Sequence, residues 1–301
     1  IFSKKMVSSK LGYKIAYIDW DLNLLPNYYN YFFDMIDEIW ATNSIAYSAI
    51  KKISSNINLF NFPPFFKCIT TIPQKVYKES YDNNSCAKNP IIGNKNYIFY
   101  TEVDFDDSYD KNNLKGALSS FINAFPVNKK FEIEKNVYFK IIFKRKDFNK
   151  NEFQYLINNY SLNPRIQFME FETCNKIDRS YFNCYVSLHR SCGFNSQIMQ
   201  AFQFCQSIIH TSWGGHIDYC DGINSYPIGY YLKPISPKSY KYWPNQVWAE
   251  PDLSEASKIM KRLVKEFRNN INNKIIYNNI FDIKDYLQNH LTSRLEVILK
   301  I

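Results

Sequence analysis

Apolar residues along this chain gather in short continuous runs rather than in strict alternation. Such runs cover Lys14–Asp19, Tyr97–Val103, Val137–Lys144, Arg165–Phe171, Phe182–Leu188 and Ser207–Thr211. A short run that stays apolar and is bounded by polar turns suits a strand covered on both faces, as in a parallel sheet. Between these runs, apolar positions recur at helical spacing over Tyr28–Trp40, Leu114–Phe125, Glu152–Tyr160 and Ser196–Phe204. Strand alternating with helix predicts an α/β protein with a doubly wound parallel sheet. Further on, Pro251 precedes Asp252-Leu-Ser-Glu255, a capping box. Ala256, Ile259, Leu263 and Phe267 follow as one apolar stripe for core packing. A last helix is expected from about Ile283 to Leu299. Residues 73–95 are polar and irregular and read as a linker or domain edge, and 234–251, with four prolines, as a long ordered loop.

Length and composition narrow the class. A chain of 301 residues with 46% hydrophobic content can bury one large core or two modest ones. The net charge of +9 is spread out, and its densest cluster is Lys144-Arg145-Lys146. That distribution gives no localised nucleic-acid surface, although a phosphate-bearing small ligand remains compatible. The seven cysteines include no CxxC pair. His189 and Cys192 have the spacing of half a metal site, but no second half follows at suitable spacing, so no metal is expected. Cys184 and Cys205 lie in apolar surroundings, as reduced buried thiols do, which points to a reducing cytosol. No run approaches the roughly 20 apolar residues of a membrane helix, and no signal-peptide core is visible.

Three polar turns could carry chemistry. The segment His189-Arg-Ser-Cys-Gly-Phe-Asn195 links a strand-like run to the helix-like run that begins at Ser196. A glycine-containing turn in that position suits an anion: Gly193 permits close backbone approach, and amides near Ser196 would face a diphosphate. Arg190 could pair with phosphate oxygens. Lys111 sits between a strand and a helix, where it could hold a phosphate. Trp213-Gly-Gly-His-Ile-Asp218 follows the run at Ser207–Thr211 and places Gly214, Gly215 and the acid–base candidate His216 on the same sheet edge. For each turn the alternative is an ordinary solvated loop. Nucleophile elbow, Walker loop and GxGxxG patterns are absent from the sequence.

Taken in order, these segments resemble the retaining family-4 glycosyltransferases of the GT-B fold. That family carries a pattern like His-Arg-Ser-Glu-Gly-Phe-Gly, then Glu-Ala-Met, a Gly-Lys-Pro-Val-Ile-Ala-Thr run and Ser-Gly-Asn-x-Asp-Phe. Here stand His189-Arg-Ser-Cys-Gly-Phe-Asn195, Gln200-Ala-Phe202, Cys205-Gln-Ser-Ile-Ile-His-Thr211 and Gly214-Gly-His-Ile-Asp-Tyr219. Trp248-Ala-Glu-Pro-Asp252, Ser108-Tyr-Asp-Lys-Asn-Asn113, Trp20-Asp-Leu and Asp37-Glu-Ile-Trp40 resemble segments of one branch of the family.

The resemblance implies a C-terminal nucleotide-sugar-binding Rossmann-like domain over 91–275, a partial N-terminal Rossmann-like domain over 1–90 on the acceptor side, and a closing helix over 276–301. A complete N-terminal half would be roughly 150 residues. It further implies that Lys111 contacts the donor diphosphate, Cys192 occupies the place of a glutamate touching the donor sugar, and Gln200 that of a glutamate binding the ribose. Ser108, His189, Arg190, Gly193, Phe194, Asn195, Ser196, Gly214 and Gly215 would line the donor site. The implied partners are a UDP- or GDP-sugar and a glycan or lipid-linked acceptor, without cofactor or nucleic acid. The resemblance also allows a partner glycosyltransferase subunit and cytoplasmic location with peripheral contact to the inner membrane face. Both family glutamates are replaced, and the arginine before Lys111 is Asp110. Two functions are therefore expected: sugar transfer with retention, or a catalytically impaired relative that keeps the fold.

Overall fold

The computed structural model describes residues 12–54, 56–64, 96–104, 109–127, 136–144, 151–171, 181–204, 206–220, 224–236 and 245–271, with residues 288 and 292. The expected linker at 73–95 lies outside them, as does nearly all of the closing helix. A first sheet is built from β1 (Ile15–Ile18), β2 (Glu38–Ala41) and β3 (Asn58–Asn61), all parallel, in the order β1-β2-β3. A short helix α1 (Asn30–Phe33) and α2 (Ser44–Ile53) complete it, and Ile18, Phe33, Ile39, Ala46 and Ile50 form its core.

The second sheet has six parallel strands: β4 (Tyr97–Val103), β5 (Val137–Phe143), β6 (Ile166–Glu170), β7 (Cys184–Ser187), β8 (Ser207–Thr211) and β9 (Ser225–Ile228). Their order is β6-β5-β4-β7-β8-β9. Helices α3 (Tyr109–Asn112), α4 (Leu114–Ala124), α5 (Asn151–Tyr160) and α6 (Ser196–Gln203) connect them. Alternate residues of β4 serve opposite faces, as the pleat requires. Tyr97, Phe99 and Val103 join the core formed with α4 and α5, whereas Ile98 and Tyr100 join the core formed with α6. Both faces are therefore covered, which is why the strands read as continuous apolar runs. The chain ends its described part in an antiparallel pair, β10 (Tyr230–Pro234) with β11 (Val247–Pro251), and the long helix α7 (Leu253–Ile271) against α4.

Two expectations are corrected. The helix read over Tyr28–Trp40 stops at Phe33, and Glu38–Ala41 is a strand instead. Its apolar residues suit a helix locally, but pairing with β1 on one side and β3 on the other satisfies its backbone and buries Ile39 completely. Glu38 is buried with it and accepts from Tyr13 Oη at 3.0 Å and from Trp40 Nε1. Likewise, the ends of the proline-rich stretch 234–251 pair as strands. Pro234 and Pro251 lie at strand ends, where a missing N–H is tolerated. The capping box at α7 is half formed: Asp252 Oδ1 accepts from Ser254 N and Glu255 N, but Glu255 turns its carboxylate to Gly229 N at 2.7 Å.

Candidate functional site

The strand order reverses between β4 and β7, because the chain builds β5 and β6 outward on one side and β8 and β9 on the other. Loops leaving the C-terminal ends of two such neighbours diverge and open a crevice, the general ligand position in open parallel sheets. Here the first sheet faces that crevice. Lys111 arrives after β4, His189–Asn195 after β7, and Gly214–His216 after β8. Asp19 and Asp21 follow β1, and Asn43 follows β2.

Contacts close these loops on one another. Lys111 Nζ lies 2.5 Å from Asp21 Oδ2, and Ser191 Oγ donates to Asp21 O at 3.0 Å. A Cβ at Gly193 would run into Asp19, and one at Gly215 into the Asn43 side chain, so both glycines are needed for the approach of the two sheets. Asp218 accepts from Ser44 N at 2.7 Å and Ser44 Oγ at 2.5 Å. Gln246 Nε2 donates to Leu24 O at 2.6 Å.

The residues singled out from sequence thus divide into groups. Lys111, Cys192, Gly193, Gly214 and Gly215 converge on the crevice. Arg190 is drawn away from it. Its Nε and Nη2 grip Glu250 at 2.8 and 2.9 Å, Nη1 donates to Asp110 O at 2.6 Å, and the guanidinium stacks 5.3 Å above Trp248. Its backbone N donates to Lys111 O, and its carbonyl accepts from Ala249 N. Arg190 is therefore a clamp between α3, the β7 loop and β11. Phe194 packs on Tyr219 at 5.1 Å, whose hydroxyl donates to Asn195 O. Asn195 caps α6, accepting from Gln197 N and Ile198 N at 3.1 and 3.2 Å. Two amides that the sequence offered to a diphosphate are thus already used. Ser196 and Gln200 lie one turn apart on the partly exposed face of α6. Ser108 lies outside the described residues.

Sequence reading gave no role to Asp19, Asn43 or Glu250, and quoted Asp21 only within a motif. The available signal was position: Asp19 and Asn43 stand just past the buried ends of β1 and β2. Nothing local marks Glu250, because its partner is Arg190 on another loop.

Below the crevice three histidines meet. His210 Nδ1 is 3.0 Å from His216 Nε2, and the His189 and His216 rings meet edge to face at 4.9 Å. Burial holds the His189 imidazolium down to about 3, with the positive fields of His210 and Lys111 adding to it. His216 is lowered well below its ordinary value, first by burial. Both rings are neutral near pH 7. The Cys192 thiol is pushed up to about 12 by desolvation, partly relieved by Lys111, so it too is neutral. Gly214 adopts φ +142°, and a Cβ there would stand 2.7 Å from His216 Nδ1 and 3.0 Å from Cys192 O. Gly214→Ala is accordingly expected to lose about 2–3 kcal/mol of stability, read from equilibrium denaturant unfolding.

The class that fold and crevice define is the GT-B architecture: an α/β protein with parallel sheets on either side of a cleft. No family model and no curated protein matches the sequence. Solved structures do. A pneumococcal O-GlcNAc transferase, GtfA, in complex with UDP and GlcNAc is 14% identical, with a TM-score of 0.55 over 92% of this chain and 52% of its own. A mutant of S. aureus TarM in complex with Fondaparinux, alpha-GlcNAc-glycerol and UDP is 12% identical, at 0.57 over 94% and 51%. Anabaena HepE in complex with UDP and glucose is 9% identical, at 0.59 over 95% and 71%. This chain spans about half the length of the first two. Among the described residues no helix is long and apolar enough to cross a membrane.

Proposed function

We propose that the crevice binds a nucleotide-sugar and that the protein is of the glycosyltransferase type, moving a sugar with retention to a glycan or lipid-linked acceptor. The observation that carries this reading is the switch-point crevice between β4 and β7, faced by a second parallel sheet, with Lys111 at its mouth. In this reading Lys111 leaves Asp21 and meets the departing diphosphate. Gln200 would hydrogen-bond a ribose hydroxyl without charge. Cys192 stands where the donor sugar would lie. The extent of the domains, 1–90 on the acceptor side and 91–275 on the donor side, belongs to the same proposal.

A second reading, that donor binding persists while transfer is impaired, is favoured by one observation. Cys192 and Gln200 stand where the resembled family carries glutamates, and neither supplies a carboxylate for developing positive charge. Such a protein would act as a partner subunit or be a remnant.

Calorimetry with UDP, GDP and their sugars, followed by a turnover assay, separates the readings. Lys111→Ala should weaken nucleotide binding about tenfold, and Asp21→Asn, which releases the lysine, should tighten it about fivefold. Turnover by the unaltered protein supports transfer. Turnover that appears only in Cys192→Glu with Gln200→Glu, rising by about two orders of magnitude, supports the impaired form. If neither nucleotide binds at millimolar concentration, both readings are lost.

A further inference from the structure

The floor of the crevice holds an arrangement that the proposed donor contacts leave unexplained. His189 Nε2 and His216 Nδ1 are buried without a hydrogen-bond partner, and one nitrogen of each ring and Cys192 Sγ lie within 4.8 Å of one another. Buried ring nitrogens are normally paired, so two orphans on rings gathered beside one thiol require an explanation. Both rings are themselves 4% exposed or less.

The hydrogen bonds behind the rings admit tautomers that carry the proton on the outer nitrogen. His189 Nδ1 is 2.6 Å from Ser187 Oγ, which Asn195 Nδ2 also approaches at 3.1 Å. A proton on Nδ1, donated to Ser187, leaves a lone pair on Nε2. His216 Nε2 is 3.0 Å from Thr211 O, an obligate acceptor, and 3.0 Å from His210 Nδ1. A proton on Nε2 leaves a lone pair on Nδ1. His210 Nε2 in turn reaches Ser225 Oγ at 2.8 Å. In those tautomers each inward nitrogen is an unprotonated donor whose outer nitrogen is held by the protein, the support that metal-ligating histidines ordinarily have.

We propose that His189 Nε2, Cys192 Sγ and His216 Nδ1 bind one zinc-class divalent cation. Two imidazoles with one thiolate suit a borderline-soft ion of that kind. Ideal bonds of about 2.0–2.1 Å to nitrogen and 2.3 Å to sulfur put the three ligand atoms roughly 3.3–3.6 Å apart in a tetrahedral site. The present spacing, at most 4.8 Å, therefore closes by at most about 1.5 Å on loading. The loops are already joined, since Gly215 N donates to Cys192 O at 2.9 Å. Three protein ligands leave a fourth position on the Cys192 side, the one ligand of the three that is partly exposed, open to water or an oxygen ligand from the crevice. On binding, the thiol gives up its proton to solvent and the Cys192 Sγ–metal bond forms.

The test uses the whole chain stripped with a chelator and titrated with Zn²⁺ against a chromophoric competitor, then with Co²⁺. The expected result is one equivalent bound, one proton released, and a thiolate-to-cobalt charge-transfer band in the near ultraviolet. Cys192→Ser and His216→Gln should each weaken Zn²⁺ binding by about 100-fold or more and abolish the band, while Cys220→Ser changes neither. Near-UV circular dichroism of each variant establishes that it is folded. Folded protein that binds no stoichiometric zinc, or whose binding survives Cys192→Ser, overturns the proposal.

Discussion

Glu250→Ala is expected to lower stability by about 3 kcal/mol. The pair it breaks is largely dehydrated, with side-chain exposures of 20% for Arg190 and 15% for Glu250. Among the described residues, removing the carboxylate leaves the guanidinium with the Asp110 carbonyl and the Trp248 ring. A charge stranded in that way costs more than the pair contributes, because its desolvation is no longer offset. The same principle makes the double variant Arg190→Met with Glu250→Leu much less damaging, within about 1–2 kcal/mol of the parent, since no charge remains. Equilibrium denaturant unfolding reads both. Equal losses in the single and double variants would show that packing around Trp248, not the ion pair, governs this clamp. The clamp also bears on the crevice: Arg190 carries the backbone that joins the Lys111 segment to β11, so Glu250→Ala should loosen the loop as well as the fold.

Phe121→Ala is expected to cost about 4 kcal/mol. Phe121 is fully buried on α4 and is the meeting point of four groups. Its ring centroid lies 6.1 Å from Phe99 on β4, 5.3 Å from Phe139 on β5 and 5.3 Å from Phe125, and the Arg165 guanidinium stands 6.0 Å from it. Truncation loses the transfer energy of the ring and leaves a cavity bounded by β-strands that cannot collapse into it. Phe121→Leu keeps most of the volume and should cost about 1–2 kcal/mol. The midpoint of denaturant unfolding should fall in both variants with little change in slope, since the same surface is exposed on unfolding. A cost below 1 kcal/mol for Phe121→Ala would mean that α4 repacks, and that this face of the sheet is less rigid than its aromatic contacts imply.

Much of the fold was legible because its signals are local. A continuous apolar run such as Tyr97–Val103 has to be covered on both sides wherever it goes, so its strand character follows from composition over a few residues. The amphipathic spacing of Leu114–Phe125 likewise needs no knowledge of its neighbours. Glu38–Ala41 shows where this stops. Phe32, Phe33, Ile36 and Ile39 recur at helical spacing, and only pairing between β1 and β3 turns the end of that run into a strand. Proline density hid β10 and β11 for a related reason, because their pairing is with each other across a stretch of turn-forming residues.

The same division holds in the site. Along the chain, polar turns with Lys111, Cys192, Gly193 and Gly214 follow buried strands, and neither Cys192 nor Gln200 is a carboxylate. Those are facts of residue identity and neighbourhood. What each residue meets follows from how the strands assemble. The order β6-β5-β4-β7-β8-β9 puts the ends of β4, β7 and β8 side by side. That adjacency joins the loops of Lys111 and Arg190, and the first sheet and β11, packed on them, bring Asp21 to Lys111 across 90 positions of sequence and Glu250 to Arg190 across 60. It also completes with His216 the half-site that His189 and Cys192 leave open along the chain. An ion pair or a ligand set depends on distances of a few ångströms between side chains. Spacing along a chain sets those distances only within one helix or turn; between loops they are set by which strands become neighbours.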